Sequence, residues 1–137
     1  MKLQKEFQQL IDEQMELAKV ANRSKDFEGI LKHLTLAWDL LPETKTVYDD
    51  SYYIVKSMIL VALNYQKPGA IVNWIEIFYL CDIERMDGGE REYLHGRIKY
   101  ALNETQEASK LFKIAFRKSE GRFPKPDEKE YLKLVTQ

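Results

Sequence analysis

The chain has 137 residues, of which 45% are hydrophobic and 12% aromatic, so it holds one domain with a real core and wholesale disorder is excluded. A formal net charge of -1 argues against a general nucleic-acid binder, whose affinity comes from Lys and Arg on phosphates. The single cysteine, Cys81, permits no disulfide framework, and His33 and His95 stand too far apart in sequence to suggest a zinc site.

The N-terminal M-K-L-Q-K-E-F-Q-Q-L lacks the apolar run of a signal peptide. The longest apolar stretch, Met58 to Leu63, is far too short to span a bilayer. These features lead us to expect a cytoplasmic chain with no membrane, metal or cofactor role. Leu3 to about Asn22 reads as the first helix, with Leu3, Phe7, Leu10, Ile11, Leu17, Ala18 and Ala21 at three- and four-residue steps. Ser24 or Asp26 can cap the second, which runs to about Leu41 and is stopped by Pro42. Thr46 and Asp49 have the spacing of a capping box for a third helix to about Asn64, apolar nearly all round. Pro68 fits the first turn of a fourth helix ending near Cys81. Asp82 to Gly89 is a charged loop whose two glycines supply turn geometry rather than a phosphate cradle. The fifth helix covers about Glu90 to Leu102. Asn103 and Gln106 form a capping pair for the sixth, which ends near Ser119 with Gly121 placed to close it. Asp127 and Glu130 cap a last short helix to about Val135.

The expected fold is therefore all-α: three antiparallel hairpins at about 3–42, 46–82 and 90–119, plus a helix at about 127–135, in a single domain over 1–137. Internal repetition supports it. Ile30, Ala70 and Ala108 align as the first packing residues of the second helices. Leu34, Trp74 and Phe112 follow four residues on, then Ala37, Ile77 and Ala115.

The stretch Leu94 to Phe116 carries the clearest unit. Gly96, Ala108 and Ala115 are small where helices must approach, and Phe112 fills between them. This pattern resembles the tetratricopeptide repeat. Ala18, Ile30, Leu34, Ala37 and Pro42 match it loosely in the first unit, whereas Met58 and Ile77 depart from it in the second. The resemblance implies a right-handed stack of hairpins, closed by a C-terminal capping helix, that binds another protein. The segment G-R-F-P-K-P-D-E-K-E-Y-L resembles the end of small bacterial tetratricopeptide-like proteins, some of which are immunity proteins for secreted toxins.

Chemistry is weakly signalled. Cys81 closes an apolar helix and reads as a packing residue; His33 reads as a surface residue; His95 lines a groove or faces solvent. The carboxylate pairs Asp49/Asp50 and Glu90/Glu92 could serve acid–base or metal chemistry, but acids at a helix N-terminus stabilise its dipole in any case. No set amounts to an enzyme.

Binding is better signalled. Residues 46–95 hold four Lys/Arg and eight Asp/Glu, while 96–137 hold ten and six. That is an acidic middle and a basic end, or simply solvated helix faces. In a tetratricopeptide stack the first helices line a concave groove. The resemblance places Met15, Lys19, Tyr52, Val55, Ile59, Ala62, Tyr93, Arg97 and Tyr100 there. The tyrosines are either contact residues or hairpin core with hydroxyls at the rim. Asp49, Asp50, Glu84, Asp87, Glu90 and Glu92 would gather along one edge and suit a basic partner. The candidate partner-binding residues are thus Asp49, Asp50, Tyr52, Glu84, Asp87, Glu90, Tyr93, Arg97 and Tyr100. The leading expectation is a non-catalytic immunity protein that occludes a cognate, basic toxin domain. The alternative is an adaptor or chaperone that holds an extended peptide. A homodimer through apolar area near Trp38 or Trp74 is a further option.

Overall fold

The computed structural model describes residues 1–136. Among them helix is the only regular structure, and the all-α expectation holds. Helix α1 (Lys5–Arg23) is followed by α2 (Phe27–Leu40), a 3-10 turn (Lys45–Val47) and α3 (Asp49–Asn64). A 3-10 segment (Pro68–Trp74) then runs into the short α4 (Ile75–Leu80). Helices α5 (Glu90–Ala101), α6 (Thr105–Lys118) and α7 (Lys129–Val135) complete the chain. Helix α1 lies along α2 and α5 along α6; α2 continues onto α3, α3 onto α5, and α6 onto α7.

The repetition shows most clearly in the turns. Helices α1, α3 and α5 each end in the same two bonds. Lys25 N donates to Asn22 O and Asp26 N to Ala21 O; Gln66 N to Leu63 O and Lys67 N to Ala62 O; Asn103 N to Tyr100 O and Glu104 N to Lys99 O. This is the Schellman closure, and its left-handed residue is Lys25, Gln66 or Asn103, with φ of 55°, 58° and 65°. None is glycine, so a search for glycine stops misses all three. Helix α6 closes the same way on Glu120, with Gly121 one position later than expected.

Those turns correct the register of the middle unit. Buried residues follow each left-handed residue at the same offset: Ile30, Leu34 and Ala37 after Lys25, and Ala108, Phe112 and Ala115 after Asn103. After Gln66 the equivalents are Ile71, Ile75 and Phe78. The expected Ala70 is exposed, and Trp74 and Ile77 are half-buried. The left-handed residues stand at uneven intervals in the chain, at 25, 66 and 103, so an alignment on a near-even period falls one residue short of Ile71.

Three caps also differ, one of them at α7, where Glu128 rather than Asp127 precedes the helix and no side chain caps it. Asp26 does cap α2, accepting from Gly29 N at 3.0 Å. Thr46 does not cap α3, because it sits inside the 3-10 turn; Tyr48 precedes the helix, and Ser51 Oγ donates to the carbonyls of Thr46 and Tyr48. Asn103 is used as the left-handed residue, so Glu104 precedes α6 without a side-chain cap.

The core runs through all these elements, from Ile11 and Ile30 through Tyr52, Met58 and Phe78 to Phe112. At Gly96 an added Cβ would stand 2.8 Å from Phe112 Cε1, so the close approach of α5 and α6 depends on that glycine. Beyond α6 the chain returns over this hairpin. Tyr93 stacks on Phe123 at 4.8 Å, and Tyr131 lies between Phe112 and Tyr100 at 4.9 and 5.1 Å.

Candidate functional site

The loop after α4 combines a fixed backbone with apolar tips. At its start Cys81 is buried and its Sγ donates to Ile77 O. Arg91 Nη2 donates to the carbonyls of Cys81 (2.8 Å) and Asp82 (3.2 Å), and Asp82 N donates to Thr46 O at 2.8 Å. In mid-loop the Arg85 guanidinium lies 4.2 Å from the Tyr52 ring centroid and donates to Tyr53 Oη at 3.0 Å. At its end Gly89 has φ +89°, and a Cβ there would meet Ala115 O at 2.8 Å. Between these pins Ile83 is 76% exposed and Met86 is 86% exposed. Leu80 adds apolar surface at the start of the loop, Val47 shares a hollow with Ile83, and Tyr53 stands beside Arg85.

Most of the acids expected at this edge are already partnered. Asp49 pairs with the N-terminal amine at 2.6 Å, and Asp50 accepts from Gln8 at 2.8 Å. Glu90 accepts from Tyr52 Oη at 2.5 Å and pairs with Lys56 at 3.1 Å. Burial raises its carboxyl pKa, but these bonds prevail and hold it below the usual value, while burial and the Glu90 contact push the Tyr52 hydroxyl up. Lys118 reaches from α6 to both Asp87 (2.7 Å) and Glu92 (3.1 Å), and its bond keeps the Asp87 carboxyl below its ordinary range. Glu84 is exposed and has no ion pair among the described residues.

The aromatic candidates face inward. Tyr52 is 1% exposed, and Val55, Ile59 and Ala62 are equally enclosed, so this part of the expected groove is filled core. Tyr93 donates to Glu128, and Tyr100 Oη reaches Glu130 at 3.3 Å, so the returning C-terminal segment occupies both. The Arg97 guanidinium lies 5.7 Å from the Tyr93 centroid and lines a shallow polar hollow with Asn22 and Asn64. The structure thus brings Tyr52, Asp87 and Glu90 together around the loop, sets Tyr93 against Phe123, and places Arg97 and Tyr100 outside the loop's contacts.

Beside the loop lies a hollow of about 400 Å³. Tyr52, Glu90, Arg91, Arg122 and Phe123 line it together with Arg85, Met86 and Gly88 of the loop itself. Its charge is positive, the reverse of what the local sequence suggests. Ile83, Met86, Arg85 and Arg122 are the site residues that sequence reasoning missed. The available signal was two large apolar residues inside an otherwise charged loop.

The remaining polar candidates tie helices together. His33 Nδ1 lies 2.8 Å from Gln14 Oε1, linking α2 to α1. His95 Nδ1 lies 2.8 Å from Tyr79 Oη, linking α5 to α4; burial, aided by Lys99, holds its pKa below the ordinary 6.5. Burial raises the Cys81 thiol, which disfavours the nucleophilic thiolate. Among the described residues no group of three His, Cys, Asp or Glu is placed to hold a metal ion, and no helix is long and apolar enough to cross a membrane. No protein-family model matches the chain, and neither the curated proteins nor the solved structures contain a match to it.

Proposed function

We propose that the chain is a protein-binding module whose contact surface is the anchored loop at residues 80–88. One observation carries this reading: Ile83 and Met86 are held in water by a loop that Arg91, Arg85 and Gly89 fix to the core. An exposed large apolar side chain on a mobile loop would simply fold back. On a pinned one it is pre-organised for a partner, and binding loses little conformational entropy. Arg and Tyr at the rim have the composition of interface hot spots.

In its narrower form the module is an immunity protein that covers a toxin's active site. Support comes from the resemblance of the third hairpin and the C-terminal segment to small tetratricopeptide-like immunity proteins. The unpaired carboxylate of Glu84 beside Ile83 adds a charge that suits a basic toxin surface. Calorimetry with a toxin domain encoded beside this gene tests both forms. The expected result is tight binding and protection of cells, with the double variant Ile83→Ser/Met86→Ser weakening binding at least about a hundredfold. No binding and no protection would end the immunity form. Binding untouched by the double variant would move the contact surface away from the loop.

A further inference from the structure

The hollow next to the loop has an unusual charge balance. Three guanidiniums, those of Arg85, Arg91 and Arg122, line it with one carboxylate, Glu90. That carboxylate is already taken by Tyr52 and Lys56. No arginine of the set stands within ion-pair distance of an acid among the described residues. Arg91 is only 8% exposed, and its Nε is buried with no hydrogen-bond partner. Both Arg85 and Arg91 crowd one ring, with guanidinium carbons 4.2 and 4.9 Å from the Tyr52 centroid. The hollow thus holds guanidinium donors in excess of acids, in a half-enclosed place where an anion's charge would be less screened than in open water. Helix α5 begins at Glu90, so its positive dipole end adds to the same field.

We infer that this hollow binds a small organic anion, with a phosphate or carboxylate group held by Arg85, Arg91 and Arg122. The planar fork of guanidinium suits both groups. At about 400 Å³ the space exceeds what a bare ion needs, and the Phe123 ring offers an apolar wall for the rest of the molecule. The hollow adjoins the partner surface: of the two loop tips Met86 lines it and Ile83 does not.

Titration of the full chain with citrate and with pyrophosphate at low ionic strength, followed by calorimetry and amide NMR, tests the assignment. Saturable one-to-one binding is expected, with shifts at Tyr52, Arg91 and Phe123. Arg122→Gln should weaken it about tenfold while leaving the melting temperature close to wild type, and Arg85→Gln should weaken it as well, with the loop released from Tyr53. Glu90→Gln, which removes the only carboxylate of the lining, should tighten it about threefold. Failure of both anions to saturate by about 10 mM overturns the proposal, as does affinity unchanged in both arginine variants. If an acidic hexapeptide saturates the site and neither free anion does, the small-molecule assignment also falls. Because Met86 lines the hollow and Ile83 does not, the single variant Ile83→Ser separates the two readings: it should weaken partner binding and leave anion affinity unchanged.

Discussion

The hairpin of α5 and α6 and the middle unit of α3, the 3-10 segment and α4 are built from the same turn and the same buried offsets, yet they differ in regularity. In the first, two full helices meet at Gly96 and Phe112, and the returning C-terminal segment covers them. In the second, the partner of α3 is half 3-10 and its α-helical part spans six residues. A regular pair satisfies its backbone internally and leaves little over. A short, irregular partner ends early, and the chain must cross back to α5 through a loop. That loop carries the exposed apolar tips and walls the cationic hollow. The regular unit contributes packing, and the irregular one contributes the surface.

Four measurements bear on that contrast. Phe112→Ala, in the regular hairpin, should destabilise the protein by about 3–5 kcal/mol in urea unfolding, because it opens a cavity beneath Tyr93 and Tyr131. Gly96→Ala should cost about 1–3 kcal/mol, since its methyl would press on the Phe112 ring. A neutral result at either position would mean that the hairpin is looser than its geometry. His95 links the two units, and its effect depends on pH. Its folded pKa lies below 6.5, so the unfolded chain takes up the proton first as pH falls. Stability should therefore decline as pH drops below about 6.5, by at most about 1.4 kcal/mol per unit, and level off beneath the folded value. His95→Gln should remove that component while leaving the later loss, below about pH 4.5, that comes from Glu90 and Asp87. The smallest effect belongs to Gly69→Ala in the 3-10 segment. Nothing lies within 4 Å of the added methyl, so the change should stay within about 0.5 kcal/mol. Comparing it with Gly96→Ala reads the difference between the units directly.

The helices were legible because hydrophobic spacing is a local property, and the spacing from Ile30 to Ala37 and from Ala108 to Ala115 is kept without interruption. The middle register slipped by one because Ala70 and Trp74 mimic a small–aromatic pattern at a near-even period, whereas the closures at Lys25, Gln66 and Asn103 are unevenly spaced. The site was half legible. Asp87 and Glu90 were found as charges, but their partners come from elsewhere: Lys118 from α6, Lys56 from α3. A carboxylate's availability is a tertiary property, and so is the place of Arg122 in the hollow, which local sequence presents as one more basic residue of the C-terminal part. No pattern in the chain announces that three arginines line one hollow with Tyr52.

The four helix closures also bear on engineering. Lys25, Gln66, Asn103 and Glu120 all occupy the left-handed region, where a side chain other than glycine costs on the order of 1 kcal/mol. The protein therefore holds a reserve of thermal tolerance that its present sequence leaves untapped. Glycine at positions 25, 66 and 120 should each add about half a kcal/mol or more, although the turns at 25 and 66 touch through Tyr65, Asn22 and Phe27 and so can couple. None of the three touches the loop tips or the arginine hollow. A hardened scaffold would thus remain available for reshaping those surfaces, and could absorb the destabilising substitutions that new binding specificity usually brings.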